Sequence, residues 1–228
     1  MFLQLFNKKQ ELSAVIEEVK VATADKTEGK MAPTIFHGLL STSSLPESEK
    51  ATPRLVDEAR ILLAAGTDTT ANTLAAITYH LLANPDILSK LKRELAIAIP
   101  DTETIPELSQ VEGLPYLTAI IQEGLRLHPS VSFRQDRVAP DEDLFYEGMG
   151  KKYIIPRGVC QNMPMNIADI PKTPVGMTAP LLSRNEELYP SPMTFDPDRF
   201  LKNPRLDRYQ LSFSRGSRRC LGVGFWYV

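Results

Sequence analysis

Apolar positions recur at helical spacing in the first 130 residues of the chain and lose that spacing beyond it. Residues 2 to about 23 place Leu5, Leu12, Ile16 and Val19 on one side and lysines and glutamates elsewhere, which predicts an amphipathic helix. A polar linker around Lys26 to Lys30 and a Ser/Thr/Pro-rich loop through Pro46 follow. Thr52-Pro53 reads as an N-cap with proline at the first helical position. The helix it opens runs to Asn84-Pro85, about 30 residues and roughly 45 Å long at the usual rise. A second helix opens at Asn84-Pro85-Asp86, with Ile87, Leu88, Leu91, Leu95 and Ile99 on one face, and stops at Pro100. A third runs from about Leu114-Pro115 to His128-Pro129. Short strand-like pieces then appear at Tyr153-Ile155 and Thr173-Gly176, followed by irregular proline-rich chain through Tyr189-Pro192 and Phe195-Pro197. No internal repeat is evident. The expectation is a mainly α fold with a minor antiparallel β component.

The 228 residues carry a formal charge of −2 and are 43% hydrophobic, an ordinary globular composition. Near-neutral charge gives no reason to expect nucleic acid as a partner. Cys160 and Cys220 are the only cysteines, so neither a disulfide framework nor a multi-cysteine zinc site can be built. His37, His80 and His128 are scattered and form no ligand cluster by spacing. Met1-Phe6 is apolar for too few residues to be a signal core, and no stretch reaches the length of a membrane span.

The chemistry concentrates around Cys220. Phe213, Gly216, Arg218, Cys220 and Gly222 stand at relative positions 1, 4, 6, 8 and 10, a pattern expected by chance roughly once in several million windows. Nearby positive charge and backbone N–H donors keep a thiolate ionised, and Arg218 supplies charge two residues away. Gly216 and Gly222 allow the backbone to pass close to a flat ligand where a Cβ would collide, and Phe213 can wall water from the sulfur. The plainer alternative is a buried structural thiol, the usual state of free cysteine. The pattern resembles, at all five positions, the haem-binding signature of the cytochrome P-450 superfamily, the haem-thiolate monooxygenases. That resemblance implies an iron protoporphyrin IX cofactor with Cys220 as axial metal ligand, whose thiolate pushes electron density onto iron and favours O–O cleavage.

Three further constellations fit the same resemblance. Ala65-Gly66-Thr67-Asp68-Thr69-Thr70 interrupts an apolar stretch of the long helix, where glycine costs about 1 kcal/mol. One reading is a helix break, with Asp68 or Thr69 capping a fresh segment. The other, implied by the resemblance, is the family's oxygen-binding helix: Gly66 makes room for dioxygen, while Asp68 and Thr69 relay protons through water. Glu123 and Arg126 share a helix face and are either a solvated ion pair of little worth or the family's Glu-x-x-Arg motif. With Arg199 of Phe195-Asp-Pro-Asp-Arg-Phe200, the resemblance implies a buried structural clamp that is costly to break. Arg134 is either an ordinary surface arginine or a haem-propionate partner. Arg205, Arg208, Arg215 and Arg219 are either a solvated face or the side on which such enzymes dock an electron donor.

The chain is expected to be the C-terminal portion of the cytochrome P-450 fold, truncated at both ends: residues 1–47 form an N-terminal helix and linker, and residues 48–228 a partial haem domain. Residues 159–172 intervene between Gly158 and Thr173, where the family pattern runs on directly, and read as an inserted loop or translated intron. The resemblance implies insertion of one oxygen atom from O2 into an apolar small molecule, with electrons from an NADPH-dependent flavoprotein reductase. Phrases such as Arg137-Leu144 and Tyr79-Pro85 resemble fungal secondary-metabolism members. Family members usually sit on the endoplasmic reticulum membrane through an N-terminal anchor, which this chain is expected to lack, leaving its own location unassigned. Two alternatives stand beside this reading: a non-catalytic remnant that binds haem poorly or not at all, and a haem-thiolate isomerase or peroxygenase needing no reductase. As written, the chain is expected not to be a competent monooxygenase, with Ile61, Leu62, Leu74 and Ile77 of the long helix partly uncovered.

Overall fold

The computed structural model describes residues 9–24, 34–101, 103–137, 141–148, 150–157 and 175–223. The chain divides into two compact units, Met1–Asn72 and Thr73–Val228, and each is described by itself. Among the described residues helix predominates over two short antiparallel strand pairs.

The first unit holds α1 (Lys9–Ala24), α2 (Ile35–Ser41), a 3-10 turn at Glu47–Lys50 and the start of α3 (Thr52–Ala83). Residues 2–8 of the expected first helix lie outside the described residues. Ile16, Leu55 and Val56 form its core, joined by Leu12, Phe36, Leu39 and Leu40. Polar contacts register α1 on α3: Lys20 Nζ donates to Thr52 Oγ1 at 2.6 Å, and Thr52 Oγ1 donates to Glu17. Helix α2 is started by Thr34, whose backbone N–H donates to His37 Nδ1 at 3.1 Å.

Helix α3 is unbroken from Thr52 to Ala83, so Gly66-Thr70 neither ends one helix nor caps another. Thr69 Oγ1 donates to Ala65 O at 2.6 Å, the i−4 back-bond that lets a hydroxyl sit inside a helix.

The second unit takes α3 from Thr73 onward, then α4 (Pro85–Ala98), α5 (Leu108–Val111) and α6 (Pro115–Leu127). Proline opens both α4 and α6, as the sequence predicts, because its missing N–H is one the first turn cannot use. Leu114 offers no side-chain cap to α6. Glu94 of α4 replaces it, accepting from Tyr116 N and Leu117 N at 2.8 Å each. Ile77, Leu91, Tyr116, Ile120, Leu127 and Phe195 make the core of this unit, with Tyr189, Phe200, Leu206 and Ala119 in a second cluster.

Ile77 corrects an expectation. It is 8% exposed, packed where Gly124 of α6 leaves space. A methyl on Gly124 would lie 2.7 Å from Ile77 Cδ1 and closer still to Cγ1, so α3 and α6 touch through a missing side chain. Ile61 and Leu74 are largely exposed, at 60% and 55%.

The strand expected at Tyr153–Ile155 forms, and so does one over the described part of Thr173–Gly176. Leu144–Gly148 (β2) pairs with Lys151–Ile155 (β3), with Phe145 opposite Ile154 and Tyr146 opposite Tyr153. Val175–Met177 (β4) pairs with Gln135–Arg137 (β1), in the register Gln135 to Met177 and Arg137 to Val175. β3 and β4, which flank residues 159–172, belong to different two-stranded sheets. Residues 158–174 lie outside the described residues. Two short helices, α7 (Ala179–Ser183) and α8 (Asp198–Lys202), and 3-10 turns at Pro204–Tyr209 and Gly216–Arg218 complete the unit.

Candidate functional site

The structure brings Glu123, Arg126 and Arg199 together in the interior of the second unit. Glu123 and Arg126 are each 0% exposed and Arg199 8%. Arg126 makes a two-pronged contact with the carboxylate, Nε to Oε2 at 2.6 Å and Nη2 to Oε1 at 2.8 Å. Arg199 Nε adds a third bond to Oε1 at 3.1 Å, and the Asp196 amide a fourth at 2.9 Å. Two guanidiniums against one carboxylate leave an excess buried positive charge, which is affordable only if the remaining N–H groups find acceptors. They do. Arg126 Nη1 donates to Ser183 O at 2.6 Å, Arg199 Nη1 to Pro190 O at 3.0 Å and Arg199 Nη2 to Thr194 O at 3.2 Å. The pair is thus no solvated surface contact. It ties α6, α7 and α8 and the irregular chain through Pro190 and Thr194 to one point.

Tyr189 belongs to this knot, and spacing along the chain gives no hint of it. The Arg126 guanidinium lies 5.0 Å from its ring centroid, a cation–π contact. Burial, the first cause, pushes its hydroxyl pKa up, and that hydroxyl has no hydrogen-bond partner among the described residues.

Helix α6 also carries the cysteine loop. Ser212 Oγ donates to Leu125 O at 2.9 Å and Gln210 Nε2 to Gln122 O at 2.5 Å, hanging the start of the loop on α6 carbonyls. The loop closes on itself where Cys220 N donates to Phe213 O at 2.8 Å. Within it Gly216 has φ +77° and Ser214 φ +59°, left-handed conformations that glycine adopts without steric cost. Cys220 is exposed, not the buried structural thiol of the plainer alternative. A Cβ on Gly222 would stand 3.5 Å from Cys220 Sγ, in ordinary van der Waals contact with the sulfur. An accessible sulfur and a single soft donor fit axial ligation of a haem iron. Arg215 folds back, its Nη2 donating to Arg208 O at 2.5 Å, so it is not a free surface charge.

Gly66, Asp68 and Thr69 lie on α3 in the first unit. A Cβ at Gly66 would meet nothing within 4 Å among the described residues. Arg134 is exposed, and its stem crosses β4: a Cβ on Gly176 would come within 2.8 Å of Arg134 Nε and closer to Cγ and Cδ.

Two histidines that look unrelated along the sequence meet in the second unit, His80 Nε2 and His128 Nε2 standing 2.7 Å apart. Nothing in a separation of 48 residues announces that contact. The ends of α3 and α6 create it.

The second unit is thus mainly helical, with a buried carboxylate–diguanidinium knot and an exposed, glycine-containing thiol loop hung on the same helix. The cytochrome P450 family profile matches residues 7–226, and the chain belongs to that family. It is 41% identical over 215 residues to the cytochrome P450 monooxygenase tpcC of Cochliobolus heterostrophus, covering 93% of this chain and 38% of that protein. It is 43% identical over 213 residues to the cytochrome P450 monooxygenase MO6277 of Ascocoryne sarcoides, covering 91% and 38%. The fusicoccadiene C-8 hydroxylase of Alternaria brassicicola is 35% identical over 238 residues, covering 99% and 41%. The chain spans about two fifths of the length of these relatives. Among the described residues, no helix is long and apolar enough to cross a membrane.

Proposed function

We propose that this chain is the C-terminal part of a haem-thiolate monooxygenase that inserts one oxygen atom from O2 into an apolar small molecule in fungal secondary metabolism. The observation that carries the reading is Cys220, an exposed thiol on a loop that Gly216 turns through a left-handed conformation. When bound, a haem supplies the dioxygen-activating chemistry, with electrons delivered by an NADPH-dependent flavoprotein reductase. Cys220 Sγ is the iron ligand. Phe213, Gly216 and Gly222 shape the loop, and Arg218 and Arg134 hold the propionates. Gly66 leaves room beside α3, and Asp68 and Thr69 Oγ1 hold and pass protons; the back-bond to Ala65 O parks that hydroxyl until it is needed. Glu123, Arg126 and Arg199 take no part in the chemistry and keep the loop-bearing helix in place. The proposed boundary between linker and haem domain falls at residues 47/48.

Relatives named as monooxygenases, and one named for hydroxylation at C-8 of fusicoccadiene, support oxygen insertion over the remnant and isomerase alternatives. The test is the ferrous–CO spectrum of the haem-loaded protein in a chain extended to the relatives' length. The strongly red-shifted Soret band of thiolate ligation is expected, and Cys220→Ala abolishes it; an unchanged band in the variant refutes the assignment. In the same protein Thr69→Ala is expected to retain haem while diverting reducing equivalents to peroxide, read as NADPH consumed per product formed. Tight coupling in that variant would remove Thr69 from the relay.

A further inference from the structure

We propose that His80 and His128 form a two-imidazole binding site for a divalent late first-row transition ion, of the zinc, nickel and copper(II) class. The two Nε2 atoms approach to 2.7 Å. Two imidazole nitrogens come that close only if something positive lies between them, either the N–H proton of one ring or a cation. Replacing the proton by a metal requires little movement. Zinc–nitrogen bonds of about 2.0–2.1 Å at near-tetrahedral angles place two ring nitrogens roughly 3.3 Å apart.

The rings are already held in the required orientation. His80 stacks on Phe195 with centroids 4.5 Å apart and planes 2° from parallel, and Tyr79 abuts its edge at 5.3 Å. His128 follows the last residue of α6 as its C-cap, so its backbone is fixed by the helix end. Such outer contacts aim a metal-binding imidazole.

The charges facing the pair come from both sides. Burial lowers the pKa of His80, with His128 as the second cause and Glu123 opposing. Burial lowers that of His128 as well, with Arg184 and Arg126 adding to the effect. Both rings therefore favour the neutral form in which imidazole ligates. Arg184 and Arg126 weaken cation binding and Glu123 strengthens it. No further His, Cys, Asp or Glu completes a three-donor group among the described residues. Water fills the remaining positions at the exposed His128, and affinity follows the usual order with copper(II) tightest.

The site joins the end of α3 to the end of α6 within one unit and is independent of haem and of the proposed activity. The test titrates nickel(II) into the 228-residue chain by calorimetry, beside His80→Gln, His128→Gln and, as a control, His37→Gln. His128 is exposed, so its replacement leaves the fold intact. Loss of either paired histidine is expected to weaken one nickel site by about tenfold or more, with His37→Gln unchanged. Saturating nickel is expected to raise the melting temperature of the parent chain and leave that of His128→Gln where it was. Equal affinity in the parent and His128→Gln, or no nickel-dependent rise in melting temperature of the parent, overturns the proposal.

Discussion

Two structures hang on α6 and are opposites in every physical respect. On one side Glu123, Arg126 and Arg199 are sealed from water, with every guanidinium direction answered by a carboxylate or a carbonyl oxygen. On the other, Cys220 stands exposed, with Gly222 beside its sulfur. The first contributes rigidity and presents no group for chemistry. The second presents chemistry and contributes almost nothing to packing. On the proposed reading stability and reactivity fall to different residues of one short helix and its tether, and substitutions should separate them.

The largest effect should fall on the buried side. Glu123→Gln removes the charge that balances two buried guanidiniums and is expected to cost about 3–5 kcal/mol, seen as lower soluble yield and a lower urea midpoint. In a haem-loaded full-length protein, turnover per bound haem should stay near the parent value. Normal stability with lost turnover would reverse the division of labour. Gly124→Ala comes next. The added methyl must displace Ile77, an overpacking expected to cost about 1–3 kcal/mol, and Ile77→Ala in the same chain should recover part of it. A thermal melt of the three variants decides the point. Cys220→Ala marks the other side of the comparison, with an unfolding midpoint within error of the parent although it removes the thiolate spectrum altogether.

The smallest effect is one of pH. His80 and His128 both titrate below the ordinary histidine value of 6.5, burial being the first cause in each. The unfolded chain therefore binds more protons, so stability is fully present above that value and declines as pH falls through the folded-state range. Urea midpoints at about pH 7.5 and about pH 5.5 should show this drop. His80→Gln/His128→Gln should flatten it, and an unchanged slope would assign the titration to other groups.

Legibility in the sequence followed the range of the forces involved. The starts of α3, α4 and α6 are local events, each announced by a proline at the first turn, and all were readable. The Cys220 loop stood out in the sequence because its glycines, arginine and cysteine lie within ten residues of one another. Continuity of α3 through Gly66-Thr70 was not decidable from composition, because the deciding bond, Thr69 Oγ1 to Ala65 O, exists only once the helix does. Pairing of β4 with β1 was hidden for another reason: Gln135-Asp-Arg137 is wholly polar and carries no alternation. The burial of Ile77 depended on what Gly124 lacks, and the His80–His128 contact on where two helices end.

The tether between α6 and the cysteine loop fixes a helical phase. Gln122 and Leu125 receive the loop, while Glu123 and Arg126, each one residue further along, form the knot. Each residue advances the helix by about 100°, so the two functions are locked at a fixed angular offset. An insertion before Thr118 rotates the helix start against Glu94 but leaves that offset unchanged. An insertion between Glu123 and Leu125 turns both partners out of phase at once, parting the carboxylate from Arg126 and the sulfur loop from its anchor. Residues 122–126 are therefore fixed in length as one unit, since any insertion among them undoes both attachments.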